Sequence, residues 1–240
     1  IVTVFFVQHW SWSLLLGASV IFAGGLYDDF GKIHRAREKL IFQGFGAGIF
    51  AVFFPLFGIS FELQFLLRSI AFFVIILMTN AFNLMDNMNG LTAGLTLIVL
   101  IGFYFTTKSE PAQTSLVVLI LALTPFFLLN FPAGKVFMGD QGSQFLGFVI
   151  PAMSFELTFT GKENINLPFI WQGLVPLFTV LLLFILDTGL VIWIRLSEGR
   201  SIFIGDQCHL SHQLNRLGLS KKGVALFLFL IQAGLVLLFL

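Results

Sequence analysis

Apolar residues run along this chain in long blocks rather than in the alternations or narrow stripes of a soluble fold. Blocks near the length that crosses a bilayer as helix, about 20 residues with a range of about 17–25, fall at 13–27, 41–58, 64–82, 91–106, 113–130, 143–157, 171–195 and 223–240. In lipid only helices and closed barrels satisfy every backbone N–H and C=O, and the ten-residue alternating segments of a barrel are absent. The pattern predicts an all-α, polytopic transmembrane bundle of about eight helices in a single domain, residues 1–240. Residues 1–7 (IVTVFFV) are too short to span and read as the end of a helix whose start is missing, so the chain is expected to be a fragment without its N-terminal helices.

Composition sharpens this reading. The 240 residues are 58% hydrophobic and 10% charged, with a mean hydropathy of +0.98. Soluble domains run at about 45–50% apolar and about 25% charged, so a water-solvated globule is excluded and the lipid bilayer becomes a partner. The single Cys208 excludes an internal disulfide and a multi-cysteine zinc site. A net charge of +1 supplies no basic field, so no nucleic-acid partner is expected.

The charges then sort by loop. One alternating set of connections, near 28–40, 83–90, 131–142 and 195–222, carries ten of the 13 Lys and Arg residues; the other set carries only Arg68, Lys108 and Lys162. The side richer in Lys and Arg is expected to be cytoplasmic. All the Asp residues lie on that side or, for Asp187, inside a block, whereas Glu62, Glu110, Glu156 and Glu163 lie on the opposite side. Topology does not require acids in the inner loops, but a reaction site there does.

Four constellations stand in those loops. GLYDDFGKIHRAREKLIFQ (25–43) pairs Asp28 with Asp29 ahead of basic residues, a combination that can hold a cation and the phosphates it accompanies; the alternative is a solvated, topology-setting loop. NAFNLMDNMNGLTAG (80–94) clusters Asn80, Asn83, Asp86, Asn87 and Asn89, groups suited to a base or sugar, although Asn89-Gly90 alone is also a turn signal. NFPAGKVFMGDQGSQFLGF (130–148) sets Asp140 in a tight turn where a helix begins. There free N–H groups favour anions, and the carboxylate could equally be a helix cap. RLSEGRSIFIGDQCHLSHQLNRLGLSKK (195–222) places His209 and His212 three apart, near Asp206 and Arg216, either for phosphate binding or as exposed histidines without a role. Asp187 lies within LLLFILDTGLVIWIRL, as a functional acid or as a structural hydrogen-bonding group.

In that order the four segments resemble the motifs of the polyprenyl-phosphate N-acetylhexosamine-1-phosphate transferases (glycosyltransferase family 4), over about residues 20–222. The resemblance implies a helical membrane bundle that moves a sugar-1-phosphate from a UDP-N-acetylhexosamine to a polyprenyl (undecaprenyl) phosphate, releasing UMP. It implies Mg²⁺ (or Mn²⁺) as cofactor on Asp140, with Asp28, Asp29 or Asn83 as further candidate ligands. Asp28 and Asp29 would be the acidic pair at the lipid-phosphate end and Lys39 a contact to the donor diphosphate. Asn83, Asp86, Asn89 and Asn130 would form the nucleotide-sugar side, with Phe137 near the uracil, and His209 and His212 would match the ends of a His-x-His-His motif. Several positions depart from the pattern: Ser211 replaces the middle histidine, Asn89 an Asp, Asn87 a Gly, and Gln141 a Thr or Ser. The GlcNAc-type branch is the closer likeness. Open alternatives are pentapeptide-sugar donor use, a cation-coupled transporter using the Asp residues, an inactive scaffold, and a second copy of the chain as partner in a homodimer.

Overall fold

The computed structural model describes residues 10–33, 36–56, 58–162, 165–201, 208–238 and 240. The segment 1–7 and the candidates Asp206, His34 and Arg35 lie outside the described residues. Among the described residues the fold is all-α, with ten helices: α1 Trp12–Asp29, α2 Ala36–Phe53, α3 Phe61–Met85, α4 Leu91–Thr106, α5 Glu110–Asn130, α6 Gly139–Phe159, α7 Leu167–Val180, α8 Leu182–Ser197, α9 Leu210–Arg216 and α10 Lys221–Leu237. By length and composition, α3 and α5 can each cross a membrane, and α7 with α8 add a third crossing if they form one span.

Polar residues at the block edges start the helices. Ser11, Ser60, Asn166 and Ser220 are N-caps, each accepting a backbone N–H from the first turn. Arg68 of α3 donates to the carbonyls of Ala51 and Val52, neutralising the negative end of α2.

Two predicted features change. The block at 171–195 is two helices meeting at a 69° bend. Pro176 lies one turn before the break, where its ring denies a backbone donor and crowds the preceding carbonyl. The buried Gln232 of α10 donates to the Val180 carbonyl at the bend, 2.7 Å away. The loop at 195–222 also contains the short helix α9.

The bundle has an apolar core and also turns large apolar side chains outward. Phe61, Phe73, Leu121 and Leu230 are exposed, while Gln43, Thr79, Thr92 and Gln144 are buried. Lipid tails are as apolar as leucine, so helices associate through close packing and interhelical hydrogen bonds. Phe82 of α3 and Phe184 of α8 stack with centroids 3.9 Å apart and planes 4° apart. The contact of α1 with α6 is tighter still, because Gly25 lies against the α6 backbone. A Cβ there would stand 2.8 Å from the Gln141 nitrogen and 2.9 Å from the Asp140 carbonyl oxygen. Backbone cannot move aside as a flexible side chain can. Gly25→Ala should therefore lower the melting temperature in detergent, at a cost of about 1–3 kcal/mol. Gly44→Ala, where an added Cβ meets nothing within 4 Å, should leave it unchanged or raised. Equal melting temperatures for the two variants would show that the α1–α6 contact has room for a methyl group.

Candidate active site

Residues from the four Asp-bearing loops meet at one end of the bundle. Asp28 stands in the last turn of α1, beyond its apolar stretch, Lys39 in the first turn of α2, and Asp140 in the first turn of α6. The Lys39 ammonium forms ion pairs with both Asp28 and Asp140. Burial pushes the Asp28 carboxyl up to about 6, and the neighbouring Asp140 adds to the rise. Burial alone would raise Asp140 too, but hydrogen bonds from Asp28, Lys39 and Asn83 outweigh it and hold that carboxyl down at about 2. Lys39 is held above its ordinary value because the two carboxylates outweigh its own burial.

Asp29 faces elsewhere. Its carboxylate accepts the backbone N–H groups of Asp140 at 2.8 Å and Gln141 at 3.0 Å. Amides in the first turn of α6 are therefore occupied by a carboxylate from α1. The acidic pair is divided, with Asp28 on the ammonium and Asp29 on the helix terminus. Gly139 permits this approach: its φ is +66°, and a Cβ would lie 2.6 Å from the Asp29 oxygen.

Behind Asp140 lies a network not anticipated from the sequence. Gln144 donates to the Asp140 carboxylate at 3.1 Å and accepts from Gln43 at 3.2 Å, and Gln43 in turn accepts from Asn80 at 2.6 Å. The signal was present as four-residue spacing, Lys39 to Gln43 and Asp140 to Gln144, which places each pair on one helix face.

The donor-side candidates divide into those facing the carboxylates and those tying loops. Asn83 donates to Ser143 at 3.0 Å and also reaches Asp140. Asp86 caps α3; burial pushes its carboxyl up to about 6, the nearby Thr92 hydroxyl opposes this, and the Asp140 charge adds to it. Asn130 is buried, accepting the Gly90 N–H and donating to the Val136 carbonyl, so it fastens the 86–90 turn to the 131–138 loop. Asn89 donates to the Pro132 carbonyl at 3.3 Å, reinforcing the same junction. Phe137 is 80% exposed. It borders a cavity of about 360 Å³ with Met138, Gln141, Phe22 and Phe145.

The histidines lie further along this end. His209 is buried against Asp187, whereas His212 is half-buried and lines a cavity of about 100 Å³ with Asn87, Asn89, Lys221 and Lys222. Two of the departing residues touch each other, since Ser211 donates to Asn87 at 2.5 Å.

A divalent cation can be tested against this donor set. Among the described residues no group of three His, Cys, Asp or Glu side chains forms a metal cage. Mg²⁺ rarely needs one, because one or two carboxylates with substrate phosphates suffice. Asp28 and Asp140 supply two hard oxygen ligands, and Lys39 already places a positive charge between them. The residues fit.

These features define an all-helical membrane protein with carboxylates, an ammonium, carboxamides and histidines gathered at one end of the bundle. The chain belongs to glycosyl transferase family 4, whose sequence profile matches residues 11–158. It is 32% identical over 233 residues to a Bacillus subtilis (strain 168) protein named "probable undecaprenyl-phosphate N-acetylglucosaminyl 1-phosphate transferase", covering 91% of this chain and 62% of that protein. The undecaprenyl-phosphate alpha-N-acetylglucosaminyl 1-phosphate transferase of Escherichia coli (strain K12) is 28% identical over 238 residues, 91% of this chain and 61% of that protein. A phospho-N-acetylmuramoyl-pentapeptide-transferase of Streptococcus pneumoniae serotype 19F (strain G54) is 30% identical over 221 residues, 83% of this chain and 63% of that protein. The chain thus spans less than two thirds of the length of each of these relatives.

The raised Asp86 carboxyl gives a testable pH dependence. Between its ordinary value near 3.8 and about 6, the folded protein keeps a proton that the unfolded chain has released. Its contribution to stability is therefore fully present below that window, falls as pH rises through it and is flat above. Asp86→Asn should flatten this part of the decline in melting temperature between pH 4.5 and 7. Parallel curves for the variant and the wild type would mean that Asp86 ionises as freely folded as unfolded.

Proposed function

We propose that the protein transfers a sugar-1-phosphate from a UDP-N-acetylhexosamine, in the first instance UDP-GlcNAc, to a polyprenyl phosphate at the cytoplasmic face of the membrane, for cell-envelope polysaccharide or peptidoglycan precursor synthesis. The observation that carries this reading is the Lys39 ammonium held between Asp28 and Asp140, with Asn83 of the 83–90 loop beside Asp140. The relatives' names supply the substrate class, and the GlcNAc-type relatives match over more of this chain than the pentapeptide type.

An oxygen of the polyprenyl phosphate attacks the β-phosphorus of the donor, the bond from that phosphorus to the bridging oxygen breaks, and UMP leaves with the bonding pair. Such transfers depend mostly on positioning and neutralisation of spread negative charge. Lys39 binds phosphate oxygens, giving up part of its pairing with Asp28 and Asp140 as it does so. Asp28 positions the acceptor phosphate; with the second phosphate pKa near 6, little proton remains to be removed at neutral pH, so attack is direct. Asn83, Asp86 and Asn89 take the nucleotide-sugar side with Asn130 bracing their turn, and the exposed Phe137 ring offers a face to the uracil. His212 completes the donor side, with His209, buried against Asp187, behind it. Mg²⁺ (or Mn²⁺), when bound at Asp140 with Asp28, would supply additional neutralisation of the diphosphate.

UMP release by membranes carrying the full-length protein, given UDP-GlcNAc and polyprenyl phosphate, tests the reading. Asp140→Asn keeps shape and loses charge, so it should cut the rate by about 10²–10³-fold or more, with poor rescue by excess Mg²⁺. A near wild-type rate with unchanged Mg²⁺ dependence would mean that the metal binds elsewhere and that Asp140 serves only to hold Lys39. Orientation is tested separately after Cys208→Ser. A cysteine at Gly199 should react with an impermeant thiol reagent only from the cytoplasmic side, and one at Lys108 only from outside, as the charge distribution requires. Reversed labelling would place the carboxylates on the wrong face for a cytoplasmic nucleotide sugar.

A further inference from the structure

The transfer step makes no use of Asp187, yet this is among the most completely enclosed polar side chains of the bundle, with 1% exposure in α8. Both of its oxygens are engaged. One lies 2.8 Å from Nδ1 of His209, and the other accepts the Leu210 N–H at 2.7 Å. His209 is the N-cap residue of α9 and Leu210 its first residue. A single carboxylate thus holds both the capping side chain and the leading amide of this short helix. With a carboxylate accepting at Nδ1, the imidazole carries a proton on that nitrogen, which fixes the ring's plane and leaves Nε2 as its other face.

A second attachment holds α9 from another side. Ser211, fully buried, donates to Asn87 at the end of α3. The membrane helix α8 and the turn after α3 therefore grip consecutive residues of a seven-residue helix too short to hold its position alone. The next residue is His212, which enters the cavity of Asn87, Asn89, Lys221 and Lys222. Burial, followed by the positive charges of His209, Arg216 and Lys221, holds the His212 imidazole below its ordinary value, and Asp187 opposes them.

We propose that Asp187 is a positioning residue of the transfer reaction: by fixing His209 and the first turn of α9 it sets His212 against the Asn87–Asn89 turn, where the donor's sugar-phosphate end is received. The inference rests on the proposed function. It assigns the intramembrane carboxylate an action through α9 rather than through a cation path or contact with substrate.

The test is Asp187→Asn in the full-length protein, read as KM and kcat for UDP-GlcNAc by UMP release and as melting temperature in detergent. The carboxamide can still accept the Leu210 N–H, but its own N–H groups then face Nδ1 and demand the other tautomer. The expected result is a KM raised about 10–100-fold, a smaller change in kcat and an unchanged melting temperature. His209→Asn added to Asp187→Asn should cost no further loss, because one interaction has been removed twice. A purely structural carboxylate predicts a lower melting temperature with KM unmoved. KM unmoved, or losses that multiply in the double variant, overturns the proposal. If Asp187→Asn does not fold, Ser211→Ala loosens the other attachment and should raise KM in the same way; an unchanged KM there overturns it equally. Absence of UMP release by the wild type would instead refute the proposed reaction.

Discussion

The geometry of the site depends on one carboxylate that takes no part in the proposed chemistry. Asp29 reaches from the end of α1 to the second and third amides of α6, pairing a negative charge with the positive end of a helix dipole. That contact sets where Asp140 begins its helix relative to Asp28, one residue away on α1. Lys39 can join the two only because the helix ends are already aligned. Gly25 and Gly139 serve the same junction, the first by letting the backbones approach and the second by leaving room for the carboxylate.

Much of this was legible in the sequence because lipid imposes a coarse code. A helix that must cross a fixed apolar thickness declares itself by length, and seven of the eight blocks each contain one helix. The exception, 171–195, was hidden because Pro176 lies in an apolar run whose composition does not change at the bend. The loops were legible because charged and carboxamide residues have few reasons to cluster at one membrane face. Adjacent acids were harder to resolve. Asp28 and Asp29 read as a pair, yet successive residues on a helix point about 100° apart, and the two carboxylates serve different partners.

The departures from the family pattern also read differently once their contacts are known. Taken singly, Asn87 and Ser211 looked like losses of a small residue and of an imidazole. Together they make a direct hydrogen bond between the end of α3 and α9. Asn89 likewise uses its amide on the Pro132 carbonyl, a contact that an aspartate could not make as donor. These positions thus join the turn, the 131–138 loop and the histidine helix into one surface.

The carboxamides behind Asp140 have a consequence for how the helices find their height in the membrane. Apolar contacts between helices change little when one slides past another, since each leucine lost is replaced by another leucine or by a lipid tail. Gln43, Asn80 and Gln144 do not allow that exchange. Shifting α2 along α3 and α6 by one turn, about 5.4 Å, would part the buried Gln43 amide from both of its neighbours, Asn80 and Gln144. The ladder therefore acts as a depth gauge during assembly. Lys39, one turn from Gln43 on the same helix, reaches the level of the carboxylates because the amides below it stop α2 at the right height.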